Sequence, residues 1–124
     1  LSLQVGDIIT FERTFTLEDV ELFTKVSGDA GAHHITPDEQ GRLVIQGLLT
    51  ATLPTKIGGD HNVLARTVNF EFLRPVYSGD TITCEVTIEK FEKQDNRISI
   101  MSSFLCANQK NKQVLRGNFA GVIL

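Results

Sequence analysis

Leu43-Val44-Ile45-Gln46-Gly47-Leu48-Leu49-Thr50-Ala51-Thr52-Leu53-Pro54-Thr55-Lys56-Ile57 is a run with apolar residues on nearly every helical face. A surface helix carries one apolar stripe, whereas a helix without a polar face is normally buried. The run therefore predicts a long helix over 43–57 inside the protein. Lys56 suits its negative end, and Gly58-Gly59 suits a left-handed cap. Pro54 has no N–H to give, so it should bend or end the helix unless the first turn of a second segment begins there.

On either side of this run the periods differ. Val5-Gly6-Asp7 predicts a turn and Ile8 to Phe15 a short strand. Thr16 is placed to cap a helix from Leu17 to Val26, whose Leu17, Val20, Phe23 and Val26 recur at helical spacing. Ser27-Gly28 stops that helix, and Ala30 to Arg42, with Gly31, Pro37 and Gly41, predicts a loop. From Asn62 the period becomes two. Leu64, Val68, Phe70 and Phe72 alternate with polar or small residues up to Arg74-Pro75. Ile82, Cys84, Val86 and Ile88 then alternate strictly with Thr and Glu, the pattern of a half-buried strand. Turns at Gln94-Asp95-Asn96 and Asn108 to Lys112 divide two further strands. Helices grouped before a run of strands predict an α+β fold, with an antiparallel sheet of about five strands, joined by hairpins, wrapped around the long helix. Outer strands without Pro would need covering, which predicts edge pairing in a homodimer or higher homo-oligomer.

The chain is 124 residues long, 41% hydrophobic and 22% charged, which predicts one domain over 1–124 with a sizeable core. A net charge of -3 with scattered basic residues gives no footprint for nucleic acid, and Lys110, Lys112 and Arg116 read as a solvated hairpin. Cys84 and Cys106 form no CxxC pair and have no ligand-spaced His, so they predict reduced, buried thiols, with neither metal nor cofactor expected. The apolar run is interrupted by Gln46, Thr50 and Pro54 and is too short for a bilayer, and the N-terminus has no apolar signal region. A cytoplasmic protein without membrane partners is the expectation.

Ser27-Gly28-Asp29-Ala30-Gly31-Ala32-His33-His34 places a carboxylate and two imidazoles among residues of almost no bulk. Asp29, directly after a helix stop, can simply hydrogen-bond a turn, and a surface position suits either histidine. Equally, a carboxylate, an imidazole and a buried helix N-terminus are parts of an acyl-thioester site.

Three pieces in order carry a resemblance: Leu17-Glu18-Asp19-Val20 leading through Phe23 to Ser27-Gly28-Asp29; Ile45-Gln46-Gly47-Leu48-Leu49; and Phe70-Glu71-Phe72-Leu73-Arg74-Pro75-Val76 followed by Gly79-Asp80-Thr81. Together they are similar to the MaoC-like (R)-specific enoyl-CoA hydratase/dehydratase branch of the hot-dog fold. The family's motif looks like Asp-x-Asn-Pro-x-His. It falls on Asp29 and His34 with the same spacing, while Gly31-Ala32 stand at the Asn-Pro positions and Gln46 stands where the family commonly has His. The resemblance implies Asp29 and His34 as catalytic residues holding a water, and the Gly47 N–H as the donor to the thioester oxygen. It implies substrate contacts for His33, Gln46 and Arg74, the last facing a CoA phosphate unless it only shapes the strand end. The implied reaction is hydration of a trans-2-enoyl-CoA or acyl-carrier-protein thioester, or the reverse dehydration. Thioester hydrolysis and non-catalytic acyl-CoA binding are the alternatives, the latter favoured by Gly31-Ala32 and Gln46.

Overall fold

Residues 3 to 124 are described by a computed structural model; Leu1 and Ser2, part of the single domain expected over 1–124, lie outside the described residues. In chain order the elements are β1 Ile8–Thr14, α1 Leu17–Ser27, α2 Ala32–Ile35, α3 Gly47–Thr50, α4 Thr52–Asp60, β2 Val63–Phe72, β3 Thr81–Gln94, β4 Arg97–Ala107 and β5 Gln113–Ile123. The strands make one antiparallel sheet in the order β1-β3-β4-β5-β2, wrapped around α3 and α4. This is the expected α+β, hot-dog architecture.

Local chemistry accounts for the helix ends. Thr16 and Asp19 exchange hydrogen bonds at 3.1 and 2.9 Å, a capping box that satisfies two otherwise unpaired N–H groups. Burial pushes the Asp19 carboxyl up, but the Thr16 backbone N–H and the Arg13 charge outweigh it and hold it below the ordinary value. At the other end Gly28 adopts φ 74° and returns its N–H to Thr24 O at 2.9 Å. The apolar run differs from its expectation at its start. Leu43 to Gln46 is extended, because its backbone pairs with the chain at 76–78: Ile45 N donates to Val76 O at 2.8 Å and Ser78 N to Leu43 O at 2.9 Å. The helix accordingly begins at Gly47. It is interrupted at Ala51, and Pro54 lies in the first turn of α4, where an N–H would have no intrahelical acceptor anyway. That is the second-segment arrangement Pro54 can tolerate.

The strands are not joined by successive hairpins. β3, β4 and β5 form a meander, but β2 pairs with β5 rather than β3. Pro75 does not favour a tight hairpin, and the 73–80 connection instead crosses to pair with 43–45. Within the sheet Ile82, Cys84, Val86 and Ile88 are all buried, the first three in the core cluster that holds Leu53 and Ile57, and burying an aliphatic side chain of this kind is worth roughly 1.5–3 kcal/mol. Cys84 and Cys106 sit directly opposite each other, fully buried and unbonded. The neighbouring Cys106 thiol and burial push the Cys84 thiol far above its ordinary value, so it is no nucleophile at neutral pH. β2 departs most from its pattern, with Leu64, Val68 and Phe72 exposed by 55%, 43% and 53%. Among the described residues, no helix is long and apolar enough to cross a membrane.

Candidate active site

The end of α1 aims Asp29. Ser27 Oγ donates to Phe23 O at 2.7 Å and accepts from Asp29 N at 3.0 Å, so the chain turns sharply into the glycine-rich segment. One Asp29 oxygen accepts from Gly31 N at 3.4 Å, the turn contact that such an aspartate can make. Its other oxygen faces His34 Nε2 at 3.5 Å.

The segment expected to be a loop contains the helical turn α2, which turns His34 inward and leaves His33 outward. Gly31 lets both imidazoles close on it, since a methyl group there would lie 3.2 Å from His33 Cε1 and 3.3 Å from His34 Cδ2. The His34 ring is 7% exposed, and its Nδ1 lies 2.6 Å from Val44 O. A carbonyl can only accept, so Nδ1 carries a hydrogen and Nε2 is the nitrogen free to exchange a proton. At 3.5 Å the carboxylate and Nε2 are too far apart to satisfy one another strongly, a spacing at which both can grip one small molecule between them.

The start of α3 lines the same cavity as this pair. Gly47 N–H and Leu48 N–H donate to no described residue, as befits a helix start. Gly47 is packed under Phe72, whose Cε1 would be 2.7 Å from a methyl group there. That cavity, of about 630 Å³, is lined by Asp29, His33, His34, Gly47, Phe72 and Arg74 among others. Five of the six residues singled out in the sequence thus meet in one place. Gln46 does not, because the backbone turn into α3 sends Ile45 and Gly47 toward the cavity and Gln46 behind it, at 1% exposure. Arg74 lines the rim and donates from Nη1 to Gln113 O at 2.6 Å, so the strand-end role and a place at the cavity coexist. Two participants carried no sequence signal. Val44 acts through its carbonyl, and Phe72 reads by alternation as core yet roofs Gly47. Among the described residues, no group of three or more His, Cys, Asp or Glu is arranged to hold a metal ion.

Known proteins share this arrangement of elements. The R-hydratase of Pseudomonas aeruginosa superposes with a TM-score of 0.84 at 22% identity, covering 98% of this chain and 81% of that one. The (R)-hydratase from A. caviae involved in PHA biosynthesis superposes at 0.83, also with 22% identity, over 99% and 98% of the two chains. In sequence, the mitochondrial 3-hydroxyacyl-[acyl-carrier-protein] dehydratase of Arabidopsis thaliana is 28% identical over 130 residues, 98% of this chain and 78% of that protein. These superpositions show the hot-dog fold, and the Arabidopsis dehydratase is similar to this chain over nearly its whole length. The family model for the thioesterase superfamily also matches, at residues 45–94, which cover α3, α4, β2 and β3 but none of Asp29, His33 and His34.

Proposed function

We propose that this protein is a lyase that adds water across the C2–C3 double bond of a trans-2-enoyl thioester to give the (R)-3-hydroxyacyl thioester, or runs the reverse dehydration, in fatty-acid metabolism. The observation that carries it is the Asp29–His34 pair, 3.5 Å apart, lining the same cavity as Gly47, whose N–H has no acceptor among the described residues. A water gripped by both side chains gives its proton to the carboxylate or to Nε2 as its oxygen bonds to C3. The π electrons move toward the thioester oxygen, where the Gly47 N–H at the positive end of α3 stabilises the developing charge. A proton returned to C2 restores the thioester, so one water is consumed and nothing else is needed. His33 and Arg74 line the mouth, where the carrier's polar arm would lie, and Arg geometry suits a phosphate. The chain 1–124 acts as one hot-dog domain in this proposal, in the cytoplasm; the Arabidopsis relative is by its name mitochondrial.

Thioester hydrolysis is the second reading, favoured by the thioesterase model's match to 45–94. It would direct the same water at the carbonyl carbon and release a thiol. Crotonyl-CoA separates the two. Loss of the enoyl-thioester absorbance without release of free thiol is expected, whereas thiol release would replace hydration by hydrolysis. Binding with neither signal would leave an acyl-CoA-binding domain for that substrate.

A homodimer is part of the proposal. β2 is an edge strand whose Val68 and Phe72, on one face of the sheet, are exposed apolar residues next to unpaired backbone groups. Sedimentation should give a dimer mass for the wild type and a monomer for Val68→Glu. A monomeric wild type at tens of micromolar would end this part of the proposal.

A further inference from the structure

Gln46 takes no part in the chemistry above, yet it is buried to 1% exposure between the elements that hold the site. Its amide nitrogen donates to Thr24 Oγ1 at 2.9 Å and to the backbone carbonyl of Asp29 at 3.3 Å. The Thr24 hydroxyl has given its own hydrogen to Val20 O at 2.9 Å, so both groups facing that nitrogen are acceptors. This orients the amide, and it excludes a carboxylate, which would face two acceptors with no hydrogen to offer. The other end of the amide, Oε1, has no partner among the described residues. The amide thus carries one buried acceptor without a partner in exchange for its two bonds to α1 and the Asp29 turn.

We infer that Gln46 is a positioning residue that fixes the Asp29 carboxylate against His34. The Asp29 peptide is clamped at both ends, its N–H by Ser27 Oγ and its carbonyl by the Gln46 amide. The same short segment serves all three parts of the site: Val44 O holds His34 Nδ1, Gln46 holds Asp29, and Gly47 lines the cavity with an N–H that has no acceptor among the described residues. Their relative placement is set by one stretch of backbone pinned to Val76 through Ile45. The cross-link supplies stiffness to a turn in which Gly31-Ala32 contribute little.

Gln46→Met tests this with two readouts, of which only the kinetic one rests on the hydration reading. The variant removes the unpaired Oε1 but leaves Thr24 Oγ1 and Asp29 O without their donor, so it is expected to melt within a few degrees of the wild type, while kcat falls about tenfold and KM stays within about twofold, as loss of alignment rather than of binding requires. Gln46→His, which keeps one ring N–H, should recover part of the rate. Independently of turnover, backbone amides over 29–34 should exchange hydrogen faster in Gln46→Met while those of β3 and β4 do not. Unchanged kcat with unchanged exchange overturns the inference. So does a misfolded variant or exchange accelerated throughout the sheet, either of which marks a merely structural residue. If wild type leaves crotonyl-CoA untouched, the hydration reading fails and the exchange at 29–34 alone decides this one.

Discussion

Asp29→Asn is expected to lower kcat/KM for crotonyl-CoA by roughly 10²–10⁴-fold, the scale of positioned acid–base help, while leaving the melting temperature within about a degree. The small effect on folding follows from the side chain's situation. Asp29 is half exposed, its one side-chain hydrogen bond among the described residues is the 3.4 Å bond from Gly31 N, and an Asn oxygen can accept that bond equally well. What Asn cannot do is take a proton from water or hold a negative charge beside His34 Nε2. His34 is a harder test because its ring is buried and Nδ1 supports Val44 O. His34→Ala would leave that carbonyl unpaired, at about 1–3 kcal/mol, and so would mix chemistry with folding. His34→Asn is the cleaner variant: its amide nitrogen can stand near the Nδ1 position and keep the Val44 bond while removing Nε2. It should be as slow as Asp29→Asn. If the two residues share one water, the double variant should be little worse than either single one. Multiplied effects would mean that they act in separate steps, and near-wild-type rate in either variant would remove that residue from the mechanism.

The parts of this site legible in the sequence are those fixed by local spacing. Asp29 and His34 are separated by one short turn, so their pairing needs only α2 to form, and Gly28 marks where the turn begins. The capping role of Thr16 and the inward face of Ile82 to Ile88 are local in the same sense. What was not legible depends on partners distant in sequence. Leu43 to Gln46 is as apolar as the helix it precedes, and an apolar run suits a buried strand as well as a buried helix. Pairing with Val76 to Ser78, more than thirty residues on, makes it extended. That choice also rotates the helix entry, which is why Gln46 faces Thr24 and Asp29 rather than the cavity. The alternation in β2 has a different gap: a bulge between Ala65 and Thr67 turns Leu64 to the other face from Val68 and Phe72, and nothing in the period says whether this chain or a second copy covers either face.

Gly117→Ala is expected to cost about 3 kcal/mol and to lower the melting temperature by roughly 10 °C, a large effect for one methyl group. Glycine is required there by the approach of β2. An added Cβ would lie 1.9 Å from the backbone oxygen of Asn69 and 2.8 Å from Phe104 Cζ. A ring can tilt, but the Asn69 carbonyl belongs to the β2–β5 ladder and cannot move without separating the strands. Because β2 is an edge strand, the cheaper response is for its second half to lift from β5 while β3 and β4 stay intact. That displaces Phe72 from Gly47 and carries Arg74 with it, so turnover and dimer formation should be lost together with only part of the cooperative melt. Gly59→Ala is the matched control. Gly59 lies in α4 with no neighbouring atom within 4 Å of an added Cβ, so there the methyl group should stabilise by about 0.5–1 kcal/mol through helix propensity. Opposite signs in the two melting curves would tie the cost at Gly117 to the Asn69 contact rather than to the loss of a glycine. Equal curves would mean that β2 does not press on β5 as described, and the roof that Phe72 places over the Gly47 N–H would fall with it.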